Sequence, residues 1–251
     1  MIKNWTDLYN RKSYFRIIKT QSIVVNHLKK KLIYSNVAKD LFYLMNPFKN
    51  KKISNYCLNN YFKFLYKHLN IKKNEEILDF GSGNGWLLSN LRSKFSENKF
   101  YSMDVSKPFI NSQKKILKNC NFQILNPNNT KICLGDKSVC WTVSNAVFHC
   151  FPNRTHAKKI IYEMLRISKK GILITNISDE KFKKNFFNKK LKREKISKKE
   201  FKKKYQHTKH LFFEKKYFKF LNKKKVNFKI LKMPKNSTFD SNFKFALKII
   251  N

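Results

Sequence analysis

The chain has 251 residues, of which 41% are hydrophobic, and a formal net charge of +41. That length suits one α/β domain with an extension, and the apolar content argues against wholesale disorder. No run of about 18 apolar residues occurs, so no membrane-spanning helix is expected, and the mixed stretch from Met1 to Ile18 lacks the uninterrupted core of a signal peptide.

The five cysteines, Cys57, Cys120, Cys133, Cys140 and Cys150, are odd in number and include no C-x-x-C pair. Neither a disulfide framework nor a metal site is expected. The expectation is instead a cytoplasmic protein whose reduced thiols mostly pack as small hydrophobes. The charge comes almost entirely from lysine, since arginine occurs only at Arg11, Arg16, Arg92, Arg154, Arg166 and Arg193. Lysine, asparagine, isoleucine, phenylalanine and tyrosine are abundant together, and these are the residues of A/T-rich codons. Compositional drift therefore accounts for much of the charge. Phosphate and base readers lean on the arginine fork as well, so a solvated lysine surface is expected ahead of nucleic-acid binding.

Residues 1 to about 70 read as helical. Val37 to Met45 carries apolar residues at helical intervals and stops before Pro47. Tyr56 to Leu69 repeats the pattern through Leu58, Tyr61, Phe62, Leu65 and Leu69. Such a segment either covers one side of a sheet or caps a substrate pocket.

Glu75 to Trp86 reads as a short buried strand, a glycine-rich turn and the opening of a helix. Three of the chain's five glycines, Gly81, Gly83 and Gly85, stand here at alternate positions. Glycine admits positive φ and close approach, so backbone N–H groups at the helix start are expected to face a polar or anionic ligand group. The dinucleotide pattern G-x-G-x-x-G would put its third glycine at Trp86, a side chain too large for a pyrophosphate site, so NAD and FAD are disfavoured. No Gly-Lys-Ser/Thr follows, as a nucleotide-phosphate loop would require. The run Asp79-Phe80-Gly81-Ser82-Gly83-Asn84-Gly85 resembles the first motif of the class I S-adenosylmethionine-dependent methyltransferases.

Ile77 to Phe80 is the first predicted strand, and Trp86, Leu87, Leu88, Leu91 and Phe95 give the next helix an apolar stripe. Lys99 to Val105 is the second strand. It ends in Asp104, about 20 residues beyond the glycine loop, the spacing of a ribose-binding carboxylate. Pro108 suits a helix's first turn, so Asp104 can equally serve as a helix N-terminal charge. Asn119 to Leu125 is a third strand running into the loop Asn126-Pro127-Asn128-Asn129, and Val139 to Asn145 is a fourth. Asn153 is the expected cap of a helix with apolar Ala157, Ile160, Ile161, Met164 and Leu165. Gly171 is expected to close that helix as its C-terminal glycine, followed by a fifth strand, Ile172 to Thr175. Lys181 to Lys225 interleaves lysines with aromatic residues, among them Phe182, Phe186, Phe187, Phe201, Tyr205, Phe212, Phe213 and Phe218. That pattern serves single-stranded nucleic acid or, as preferred here, an amphipathic cover with a lysine-rich outer face. Val226 to Met233 and Asn242 to Ile249 alternate as two strands of a terminal hairpin.

Glu163 to Gly171 with the strand after it is similar to the small-molecule, type 11-like branch of the methyltransferases, where a helix ending in Glu-Met-x-Arg-Val precedes a lysine/glycine turn. The resemblance implies an α/β fold over 71–251: a Rossmann-like, seven-stranded, mostly parallel sheet with helices on both faces. Residues 1–70 would form an N-terminal helical extension or cap, and 181–210 a lid insertion. The implied cofactor is S-adenosyl-L-methionine. Backbone at Gly81, Ser82, Gly83, Asn84 and Gly85 would take its amino-acid end, and Asp79 would order that loop or reach the ammonium through water. Asp104 would take the ribose hydroxyls and Val105 would pack on adenine. Asn126 or Asn128 would stand in for the acidic residue that meets adenine, and Asn145 would border the methyl. Cys140 stands where the family commonly has an acid.

For a general base, His149 follows the fourth strand and its imidazole suits a hydroxyl proton; a space-filling histidine at a helix entrance is the plainer alternative. His207 and His210 lie in the lid segment. The expected activity is methyl transfer to an oxygen, nitrogen or carbon of a small molecule or glycan. The alternatives are an RNA, DNA or protein methyltransferase recruited by the basic surface, and a non-catalytic cofactor-binding module. Against the nucleic-acid reading, Ser144-Asn145-Ala146-Val147 lacks the prolines of the Asn/Asp-Pro-Pro-aromatic motif, and no Pro-Cys nucleophile is present.

Overall fold

A computed structural model describes residues 14–30, 33–45, 50–205, 210–238 and 240–251. The expectations touching Pro47 and His207 lie outside these. Seven strands form one sheet in the order β3-β2-β1-β4-β5-β7-β6. They are β1 (Glu76–Phe80), β2 (Lys99–Asp104), β3 (Cys120–Ile124), β4 (Val139–Asn145), β5 (Ser168–Ser178), β6 (Asn227–Lys232) and β7 (Lys244–Ile250). β1 to β5 run parallel, and β7 returns antiparallel between β5 and β6. Strand order reverses between β1 and β4, so a crevice opens above their C-terminal ends. This is the Rossmann-like arrangement the motifs imply, terminal hairpin included.

Alternation along each strand divides the core in two. Ile77, Leu173 and Ala246 face one cluster. Their neighbours Leu78, Ile172, Ile174, Phe245 and Leu247 face the other. Helices α1 (Tyr14–Lys29), α2 (Tyr34–Met45), α3 (Lys51–Leu69), α4 (Trp86–Lys94) and α5 (Lys107–Ile116) contribute to the first cluster. Asn50 caps α3 through a bond from the Ile53 N–H, and Asn70, at φ 43°, ends it in the left-handed conformation that asparagine tolerates. Trp86 occupies the position that disfavoured a dinucleotide. Its ring packs edge-on against Phe42, Tyr61 and Phe62, with centroids 4.8, 5.3 and 5.8 Å away. The residue that opens the helix after the glycine loop is thereby the anchor of α2 and α3.

The second cluster lies under α6 (Arg154–Ile167) and a 3₁₀ segment, Lys215–Lys224. Asn153 caps α6 by accepting from the His156 N–H. Gly171 is not the end of that helix. The helix stops at Ile167, Ser168 is its C-cap, and Gly171 lies inside β5. Its φ is 154°, and a Cβ there would stand 2.2 Å from the Ile249 carbonyl oxygen of β7 and 3.2 Å from the Trp141 ring. A close strand approach, not a helix cap, requires glycine at that position.

In the lysine-rich segment, α7 (Lys183–Glu194) and α8 (Lys198–Tyr205) follow β5. Phe186, Phe212, Phe213 and Phe218 are buried, while Lys183 and Lys190 lie over the rings of Phe212 and Phe201. These aromatic side chains are committed to packing. The cysteines pack less than expected: Cys57 and Cys140 are buried, Cys120 and Cys150 intermediate, and Cys133 exposed.

Candidate active site

A cavity of about 570 Å³ lies above the strand ends, within the range of small-molecule sites. Of the residues singled out from the sequence, Asp79, Gly81, Ser82, Gly83, Asn84, Asp104, Val105, Asn126, Asn128, Asn145 and His149 line it; Gly85 does not.

The three glycines of the loop are needed for three different reasons. All have positive φ, at 76°, 56° and 82°. A Cβ on Gly81 would meet Val147 Cγ2 at 2.2 Å, so the close approach there is to the chain itself. A Cβ on Gly85 would meet the Gln113 side chain at 2.8 Å, and Gly85 is also the N-cap of α4. Only at Gly83 is there nothing within 4 Å, so a side chain there would project into open space at the cavity wall.

Several of the loop's N–H groups already have partners within the chain. Gly81 and Ser82 both donate to the Met103 carbonyl, Gly85 donates to the Ser82 carbonyl, and Trp86 donates to Asn84 Oδ1. Gly83 donates to Asp104 Oδ2 at 2.7 Å. Short turns satisfy their own donors before any ligand arrives. Beneath the loop, Gln113 of α5 donates to Ser82 Oγ and the Gly83 carbonyl and accepts from Ser102 Oγ, a buried network that no local motif announces.

Asp104 has both readings at once. Its Oδ1 accepts from the Ser106 N–H at 2.8 Å, just before α5, while it borders the cavity. Burial raises its pKa, partly offset by the N–H bonds from Ser106 and Gly83. Asp79 is 2% exposed, and no donor reaches its carboxylate among the described residues. Burial, with the charge of Asp104 added, pushes its pKa up to about 8. Asn84 is fully buried and donates from Nδ2 to the Leu41 carbonyl of α2, so its side chain ties the loop to the N-terminal helices.

At the β3 end, Asn126 Oδ1 accepts from the Asn128 N–H as a turn former, and both residues are exposed. Val105, Phe109, Leu125 and Ile132 form an apolar wall. Ile132 is held from α6: Glu163 accepts the Ile132 N–H, while Arg166 donates to the Ile132 and Leu134 carbonyls and to Asp136. The Glu163–Arg166 pair of the recognisable helix end thus fastens a wall of the cavity. Cys140, by contrast, lies near the N-terminal end of the central strand β4, away from the cavity, donating to Glu76 at the start of β1.

At the other end, Asn145 Oδ1 accepts from Thr175 Oγ1 and Asn176 Nδ2. Asn176 has φ 59° and falls where the β5–β7 register shifts between Ile174 and Ile177, a bulge that re-aims a side chain. His149 stacks on His210, centroids 4.5 Å apart, and His210 Nε2 lies 2.9 Å from Ser178 Oγ. Burial, with Lys244 and Lys190 adding, lowers His149 to about 3, and His210 is also held well below its ordinary range. Asn176, Thr238, Arg193 and Lys244 also line this end. The sequence reading did not single them out.

The residues fit an S-adenosylmethionine-shaped ligand. A buried carboxylate without a donor sits beside a second acid, next to a glycine facing open space and an apolar wall. The methyltransferase domain family profile matches residues 71–239, more than half of the chain, and the chain belongs to that family. It is an S-adenosylmethionine-dependent methyltransferase of class I. No curated protein sequence matches it. Solved structures share the fold. A SAM-dependent methyltransferase from Aquifex aeolicus is 18% identical with a TM-score of 0.52, over 81% of this chain and 98% of that one. The methyltransferase in complex with the Trm112 activator of Haloferax volcanii is 13% identical, at 0.56 over 79% and 91%. Magnesium protoporphyrin IX methyltransferase from Synechocystis, with bound SAH, is 10% identical, at 0.55 over 80% and 84%. No helix among the described residues is long and apolar enough to cross a membrane.

Proposed function

We propose that the chain methylates an oxygen, nitrogen or carbon of a small molecule in the cytoplasm, with the acceptor entering over β4 and β5. The observation that carries this is the cavity above the strand ends, with Asp79 and Asp104 toward one end and Asn145, Asn176, Arg193 and Lys244 toward the other. When bound, the cofactor supplies a methyl on a sulfonium, which the acceptor takes as the C–S bond breaks, leaving S-adenosylhomocysteine. Asp104 accepts from the ribose hydroxyls on lone pairs its two N–H bonds leave open. Asp79, ionised by a cationic neighbour, faces the amino-acid end. Gly83 leaves room for that end, and Val105 with Phe109 packs on the adenine near Asn126 and Asn128. Asn145, fixed by Thr175 and Asn176, borders the transferred methyl.

His149 is a proton-accepting group that lines the cavity. With its pKa lowered to about 3 it is neutral at working pH but a weak base. An acceptor that is already nucleophilic without deprotonation suits it better than an alcohol. In domain terms, we propose residues 1–70 as a helical extension that completes the cavity wall through Met45, and 181–210 as a cover over the acceptor end through Arg193. The test is a screen of methyl acceptors in cell extract with isotopically labelled S-adenosylmethionine. Label transferred to a low-molecular-weight product supports the reading; label on nucleic acid or protein alone would overturn it.

A further inference from the structure

We propose that the acceptor carries an anionic group, a carboxylate or a phosphate, seated on Lys244 and Arg193. This deepens the methyl-transfer reading and rests on it.

The placement follows from the sheet. Asp104 ends β2 and Lys244 opens β7, four strand spacings apart, roughly 19 Å at about 4.8 Å per strand. An adenosine over β2 and β3, with its amino-acid end over β1 and β4, leaves the β5–β7 end for the acceptor. That end holds two cations, Lys244 and Arg193, beside one acid, Asp240. Lys244 is half-buried and lines the cavity, and among the described residues its ammonium has no hydrogen bond or ion pair. Arg193, from α7, lines the same end, with its guanidinium 3.9 Å from the Glu194 carboxylate. Lys189 is nearby but is paired with Asp240 at 3.3 Å, the acid whose charge also reaches Lys244. Burial and the like charges of Lys189 and Arg193 depress Lys244's pKa, so an arriving anion would relieve a repulsion. Asn176 and Thr238 border the site, joined by a 2.9 Å bond from Thr238 Oγ1 to Asn176 Oδ1.

The surface lysines do not offer this chemistry, because screening and water weaken an exposed cation's hold on a small anion. A half-buried cation in a cavity acts through lower-dielectric surroundings and discriminates by charge.

The experiment is calorimetry on the full chain saturated with S-adenosylhomocysteine, at physiological ionic strength. Benzoate, phenyl phosphate and neutral benzamide are the probes, and the first two distinguish carboxylate from phosphate. One anion is expected to bind at least about tenfold tighter than benzamide, or about 1.4 kcal/mol. Lys244→Met and Arg193→Gln should each remove that preference and leave S-adenosylhomocysteine affinity unchanged. Lys63→Met, an exposed lysine on α3, should leave the preference intact. If Lys244→Met does not fold, Arg193→Gln decides. Equal binding of benzamide, or a preference that survives the cavity variants, overturns the proposal. So does a Lys244→Met variant that loses S-adenosylhomocysteine instead, which would assign the cation to the cofactor. Failure of S-adenosylhomocysteine to bind the wild type would count against the methyl-transfer reading, and the same titrations without it would still locate the anion.

Discussion

The hydroxyl of Tyr61, on α3, lies 2.9 Å from Thr175 Oγ1 on β5, and both side chains are buried. Thr175 directs its own proton to Asn145 Oδ1, 2.9 Å away, so Tyr61 donates to Thr175. Two hydrogen bonds therefore connect an N-terminal helix to the cavity wall. Removing either end has unequal cost. Tyr61→Phe loses one bond and should destabilise by about 1 kcal/mol, whereas Thr175→Val strands the buried phenol and should cost about 1–3 kcal/mol. Urea unfolding of the two variants checks the order; the reverse order would show that the phenol is satisfied elsewhere.

The glycine loop separates stability from binding. Gly81→Ala adds a Cβ 2.2 Å from Val147 Cγ2 at φ 76°. It should cost more than the about 1–2 kcal/mol of a left-handed alanine alone, and Val147→Ala should restore part of the loss. Gly83→Ala meets nothing within 4 Å, so its stability cost should stay near that conformational value. Its S-adenosylhomocysteine affinity should nevertheless fall at least about tenfold. Thermal unfolding and calorimetry on both variants distinguish the two roles.

Asp79 predicts a pH dependence. Its folded pKa of about 8 lies above the unfolded value of about 3.9. The folded state binds the extra proton between those values, so Asp79's stabilising contribution is full at low pH and is lost as pH rises to about 8. Asp79→Asn should flatten that slope. A sulfonium and an ammonium favour the ionised carboxylate, so cofactor binding at pH 7 should release a proton. Affinity should then rise with pH and level off above about 8. Calorimetry in buffers of different protonation enthalpy measures the release, and its absence would remove Asp79 from the amino-acid end.

Arg166 holds the Ile132 wall by carbonyl and carboxylate bonds that lysine's point charge cannot reproduce together. Arg166→Lys should destabilise by about 1.5–3 kcal/mol and weaken cofactor binding with it. The Arg166 bonds and the Ile132 N–H lower Glu163 below the ordinary carboxylate range. Its contribution is therefore present at neutral pH and lost as pH falls through that lowered value. An Arg166→Lys variant with unchanged acid stability would contradict this coupling.

Local pattern was enough for the strands, the capped helix at Asn153 and the glycine loop with its acid a strand away, because periodicity and turn chemistry act over a few residues. Gly171 shows the limit. A glycine after lysines at a helix end has the right local signature for a cap, yet the approach of β7 from about 80 residues downstream decides its conformation. The loop glycines show it again: their positive φ was legible, but not that Val147, Gln113 and open space are what each one faces. Gln113, Asn176, Thr238 and Lys244 meet the site only through the crossover of α5, a bulge in β5 and the antiparallel return of β7. Those contacts join residues far apart in the chain, and nothing in a local sequence window carries the free energy of a pairing that forms only once the sheet has closed.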